Sequence, residues 1–277
     1  MSGGPLQVHP EAAALAAEIA ALRESLAERL AAWHDLTDVQ RPWLLALWQE
    51  KLGAWELKRL TVQTAAARAK RRLEKFQTSL NEGLQPDLFA IDAALEAEFV
   101  HWQQAIREKA AAHEQAQQWV QGSPLDAEAQ AELKKLYRKL VKALHPDLNP
   151  RQSEAQFDLW QKVQSAHAAN ALADLQALAA VVEEPPTVGE PAGFAELEEQ
   201  KQKLTASLAA LAAKHAAAEK LPPFTLRDQL DDDAWIAARR AEIEAEIAPL
   251  EAKRDACEQH LQQLIALIQH GAGFGPN

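Results

Sequence analysis

His145, Pro146 and Asp147 stand in a row behind a helix-forming segment, and by residue type they are the group in this chain best equipped for chemistry. A histidine two positions from an aspartate has the parts of an acid–base pair. Nothing near them supplies a nucleophile, a metal or an oxyanion donor, so an enzyme site is not expected. The nine histidines are scattered without a metal-ligand spacing, and glycine-rich phosphate loops are absent. A single cysteine, Cys257, cannot form a cysteine-based zinc or iron–sulfur site. The expectation is therefore no cofactor and no metal. Pro146 pushes His145 out of helical backbone space, so the helix stops at about Leu144, the turn presents His145 and Asp147, and Pro150 stiffens the rest of the loop. In the plainest reading this is a helix stop, with the histidine capping the last carbonyls and the aspartate opening the loop.

The elements around the turn say more. Projected on a helix, Leu133, Leu136, Tyr137, Leu140 and Leu144 fall in one arc, and Lys134, Lys135, Arg138, Lys139 and Lys142 fill the opposite one. No acidic residue lies between Lys134 and Pro146, although the whole chain carries a net charge of -11. One face packs, and the other expects an acidic protein surface. After the turn, Ser153 and Gln156 have capping-box spacing and open a helix with Phe157, Trp160, Val163, His167 and Ala171 on one side.

A basic helix ending in His-Pro-Asp, a polar loop and a helix with aromatic anchors resemble the J domain of DnaJ-like co-chaperones; the Tyr137-Arg138-Lys139-Leu140 run strengthens the likeness. In that family the basic helix docks on the nucleotide-binding domain and interdomain linker of a DnaK-type heat-shock 70 chaperone, and the tripeptide triggers ATP hydrolysis. The resemblance implies that His145, Pro146 and Asp147 are the trigger and that Lys134, Lys135, Arg138, Lys139 and Lys142 are the docking face. Asn149 resembles the asparagine often found after the tripeptide, and Tyr137, Leu140, Trp160 and Val163 would be core. The likeness covers about 60 of 277 residues. It departs from the family in lacking the short first helix with its aromatic pair, whose place is expected to be taken by the helix end bearing Trp119 and Val120. The fourth helix with its basic-tyrosine signature, the glycine-phenylalanine region and the cysteine-rich repeats are missing too.

The rest of the chain reads as helix. Ala, Leu, Glu and Gln dominate, which favours helix and leaves little material for strands, so the fold class is all-α. Leu15, Ile19, Leu22, Leu26 and Leu30 mark a first helix ending near Trp33. Thr37 and Gln40 have capping-box spacing with Pro42 just inside, so a second helix is expected to start there and run to Gly83, weakened at Gly53. Its basic stripe, Arg68, Lys70, Arg71, Arg72 and Lys75, is expected to be paired within the molecule or simply solvated, and its tryptophans to be packing residues. A third helix runs from about Asp87 to Gln121. Near the C-terminus, Leu197, Leu204, Leu208 and Leu211 mark a helix that Pro222-Pro223 ends. A long helix from about Asp233 comes next, with Ile243, Ile247, Leu250, Arg254, Cys257, Leu261, Leu264 and Ile268 as a coiled-coil seam.

The expected organisation is an elongated, coiled-coil-like N-terminal region (1–122), a J-like helix-loop-helix module (123–182), a proline-rich linker (183–192) and a C-terminal antiparallel hairpin (193–277) whose seam can also pair with a second copy. The lone cysteine and the lack of a long apolar run point to a cytoplasmic protein away from the membrane, and the acidic charge argues against nucleic acid. The functional expectation is a co-chaperone that stimulates a DnaK-type ATPase, its helical arms holding a client or partner. The alternative is a helical scaffold with an inactive J-like segment.

Overall fold

The computed structural model describes residues 10–121, 126–182 and 194–270, and among them every regular element is helical, with no strand. The fold is all-α. The expected linker 183–192 and the expected helix stop and domain boundary at Gly122 to Pro124 lie outside the described residues.

Helix α1 (Pro10–His34), a π turn (Asp35–Gln40) and α2 (Arg41–Asn81) follow one another without interruption. The capping box expected at Thr37 does not form. Because the chain is already helical there, the Thr37 hydroxyl donates back to the carbonyl of Trp33 at 3.0 Å and to Asp38 at 2.8 Å. Pro42 is accommodated by the wider turn: Arg41 N–H donates to Leu36 O, five residues back, just where a proline ring would crowd an ordinary helix.

The expected third helix is split at Phe99 into α3 (Leu88–Glu98) and α4 (Val100–Gln121), and Asp87 caps α3 by accepting from Phe89 and Ala90 N–H. The remaining helices are α5 (Ala127–Leu144), α6 (Glu154–Ala168), α7 (Leu172–Val181), α8 (Phe194–Glu219), α9 (Arg227–Leu230) and α10 (Asp233–Gln269). A further helix, α7, does follow α6, and it carries neither a basic residue nor a tyrosine.

Packing groups these helices differently from their order along the chain. The described parts of 1–44 and 123–226 form one compact unit, and those of 45–122 and 227–277 form another. In the first unit, Leu15, Ile19, Leu26 and Leu30 of α1 join Leu133, Tyr137, Leu140 and Leu144 of α5, Trp160 and Val163 of α6, Leu175 of α7 and Leu204 of α8 in one core. In place of the expected C-terminal hairpin, α8 packs along α1, because its Leu197, Leu204, Leu208 and Leu211 stripe closes on this core. The helix that packs against α5 from upstream is α1, while the Trp119 end of α4 belongs to the other unit.

In the second unit the α10 seam holds as a pattern, but its partners are elements of the same chain. Ile243 and Ile247 pack on Val62, and Leu261 packs with Phe76, Ile91, Leu95 and Phe99. The basic stripe of α2 is paired as expected: Arg68 with Glu96 at 2.6 Å, Arg72 with Asp92 at 2.6 Å and Arg71 with Glu98 at 2.8 Å.

Candidate functional site

Helix α5 starts on Asp126, whose carboxylate accepts from Ala129 N–H at 2.8 Å, and it carries Glu128 in its first turn and Lys142 in its last, both favourable to the helix dipole. It ends where Pro146 requires. His145 takes extended backbone angles (φ -68°, ψ 132°) and still donates its N–H to Val141 O at 2.9 Å. The turn then closes on the His145 carbonyl, which accepts from Leu148 N–H at 3.0 Å and Asn149 N–H at 2.9 Å. The Asn149 side-chain amide donates to Lys142 O at 3.1 Å, so this residue ties the loop to the helix end. Leu148 is buried in the core, and its carbonyl accepts from Arg23 of α1. On the far side, Ser153 and Gln156 form both arms of the capping box that starts α6.

Within this turn the three expected trigger residues are placed differently. Asp147 is exposed and Pro146 half-buried, but His145 is folded inward rather than presented. Its ring stacks on His34 (5.6 Å between centroids, 28°) and meets Trp160 edge-on at 5.0 Å. Asp147 N–H donates to His145 Nδ1 at 3.1 Å, which fixes the neutral tautomer with its proton on Nε2. Burial pushes the His145 pKa down to about 4; Asp147 opposes that shift and His34 adds to it. The ring is uncharged at neutral pH.

His34 is also held from the other side, its Nδ1 2.6 Å from the Tyr137 hydroxyl in a hydrogen bond. Burial lowers the His34 pKa and raises that of Tyr137, so both stay neutral. His167 lies flat against Tyr137 at 3.6 Å, its Nδ1 buried without a partner and its pKa pushed down to about 4 by burial. Of the aromatic stripe expected on α6, Trp160, Val163 and His167 are buried, whereas Phe157 is exposed.

The basic face of α5 departs most from expectation. Lys134, Arg138 and Lys142, spaced four apart, meet a matching acidic stripe: Lys134 with Asp35 at 3.3 Å, Arg138 with Glu28 at 3.3 Å and Lys142 with Glu24 at 2.5 Å. The pairing runs antiparallel, the numbers rising from Glu24 and Glu28 of α1 to Asp35 of the π turn as those of α5 fall. Lys135 and Lys139 lie on the exposed remainder of the helix. The face is therefore compensated along the edge that carries Lys134, Arg138 and Lys142. Reading the α5 segment alone missed Arg23, Glu24, Glu28, His34 and Asp35, although the spacing of four between Glu24 and Glu28 matches that of the cations.

Among the described residues no group of three or more His, Cys, Asp or Glu is placed to hold a metal ion, and no helix is long and apolar enough to cross a membrane. A cleft of about 370 Å³ in the second unit is lined by Arg68, Arg72, Asp92 and Glu258; Arg68 pairs with Glu96 and Arg72 with Asp92, while Arg72 Nε is buried without a hydrogen-bond partner. Comparison with family models, curated proteins and solved structures finds no match to this chain.

Proposed function

We propose that this protein is a non-enzymatic co-chaperone that binds a DnaK-type chaperone in the cytoplasm and stimulates its ATP hydrolysis. The observation that carries the reading is the His145-Pro146-Asp147 turn, held by Asn149 and Leu148 between a basic helix and an aromatic-anchored one. An exposed Asp147 at the end of a helix with an exposed cationic edge suits recognition of an acidic protein surface. Chemistry by the protein itself is not part of the reading, since neither the tripeptide nor its surroundings supply a nucleophile. Helices outside the J-like module, including α10, are the arms that would hold a client or partner.

A second reading has a specific observation behind it: the burial of His145 and the pairing of three docking-face cations favour a helical scaffold whose J-like segment is silent. A single-turnover ATPase assay with the cognate DnaK-type protein separates the two. Under the co-chaperone reading, wild type accelerates hydrolysis several-fold and His145→Gln does not. Equal rates with and without wild type would leave the scaffold as the better account.

A further inference from the structure

We infer that α1 is a built-in electrostatic competitor for the cationic face of α5, so that an acidic partner must exchange its own carboxylates for Glu24 and Glu28 before it docks in full. This rests on the co-chaperone reading and adds a regulatory contact to it.

The contact has the features of a competitor rather than of a structural staple. Its cations recur at 134, 138 and 142, one edge of α5, and its carboxylates come from a helix packed antiparallel alongside. The side chains of Arg138 and Glu28 remain 51 % and 55 % exposed, and those of Lys142 and Glu24 59 % and 47 %. Ion pairs this wet are weak, because water screens them and two long side chains must be held in place. They can open without moving α1, which is anchored separately by Leu15, Ile19, Leu26 and Leu30 in the core. Asp35 differs, being more enclosed and held by Gln40, so the Lys134 end of the stripe is the fixed one and the end nearest the tripeptide is exchangeable. The carboxylates thus lower the positive potential beside the turn until a partner with a denser acidic surface replaces them.

The test titrates the cognate DnaK-type chaperone, in its ATP form, against fluorescently labelled full-length protein. Glu24→Gln/Glu28→Gln removes the competing charge at two exposed positions and should tighten binding about fivefold at low salt, the factor expected from losing two surface pairs, with the gain shrinking at high salt. Glu18→Gln is the charge control, since Glu18 pairs with Lys201 of α8 instead. It should leave affinity within about twofold of wild type. Equal affinity of wild type and the double variant would overturn the competitor role while leaving the co-chaperone reading standing, and so would an equal gain from Glu18→Gln. Absence of binding by every form would overturn both.

Discussion

His145 and His167 are buried on either side of Tyr137 and Trp160, and that placement makes the fold sensitive to acid. Each has a folded pKa of about 4, below the ordinary 6.5, chiefly through burial, with Asp147 opposing the shift at His145 and Asp35 and Asp38 opposing it at His167. Between those two pH values the unfolded chain binds more protons than the folded one. Stability is therefore fully present above about pH 6.5 and lost as the pH falls toward 4, on the order of 3 kcal/mol for the two rings together once screening by nearby water is allowed for. His167→Phe keeps the stack on Tyr137 and removes both a titrating group and the unpartnered Nδ1. Urea unfolding from pH 7 to 4.5 should show about half the wild-type loss; an unchanged slope would mean that His167 does not carry it. At this scale the sequence was legible in part. The proline forced the turn, periodicity put Tyr137 and Leu140 on the packing arc of α5, and the resemblance implied core roles for Tyr137, Leu140, Trp160 and Val163, all four of which are buried. That His145 turns inward was not legible, because the ring it stacks on, His34, lies 111 positions away along the chain.

Two capping-box sequences with opposite outcomes show what an element needs beyond its own letters. Ser153-x-x-Gln156 comes after a proline-bounded loop, so its N-cap backbone is free to be extended, and both reciprocal bonds form. Thr37-x-x-Gln40 comes after a helix that has not ended, with Leu36 already buried, and the hydroxyl turns back on Trp33 instead. Gly53 is a similar case. Helix propensity alone marks it as a weak point worth about 1 kcal/mol against alanine, yet a Cβ there would lie 2.6 Å from His113 Nδ1 and 2.8 Å from Gln49 Oε1. The glycine lets α4 come close enough for His113 to bond the Gln49 carbonyl at 2.6 Å. Gly53→Ala should therefore destabilise by about 1–2 kcal/mol, the crowding outweighing the propensity gain. A thermal melt decides it: a raised Tm would mean that His113 yields at little cost and that the propensity argument governs.

At the scale of the molecule, the J-like module is not a unit of its own core. Linear reading placed boundaries at 122 and 183 because glycine and proline cluster there, and such residues do mark where helices stop. They do not say which helices pack together afterwards. The apolar stripes of α1 and α8 were visible as stripes needing partners, but any apolar face satisfies any other, so neither their pairing with each other nor their closure over α5 could be read from periodicity. Local charge was misleading for the same reason, since the acidic stripe that answers Lys134, Arg138 and Lys142 lies about a hundred residues or more upstream. The consequence is testable by cutting the module out. Residues 123–182 alone would lose Leu15, Ile19, Leu26, Leu30 and Leu204 from the core. At about 1.5–3 kcal/mol for each large aliphatic side chain, that loss is comparable to the whole stability of an ordinary domain, about 5–15 kcal/mol. The fragment should show little helix by circular dichroism and no cooperative melt. Adding a peptide of residues 10–40 in trans should restore part of the helical signal, because it returns four of the five aliphatics together with Arg23 and His34, which hold the turn. A cooperative transition in the fragment by itself would show instead that α5, α6 and α7 suffice, and would reduce α1 from a part of the core to a helix laid over a finished one.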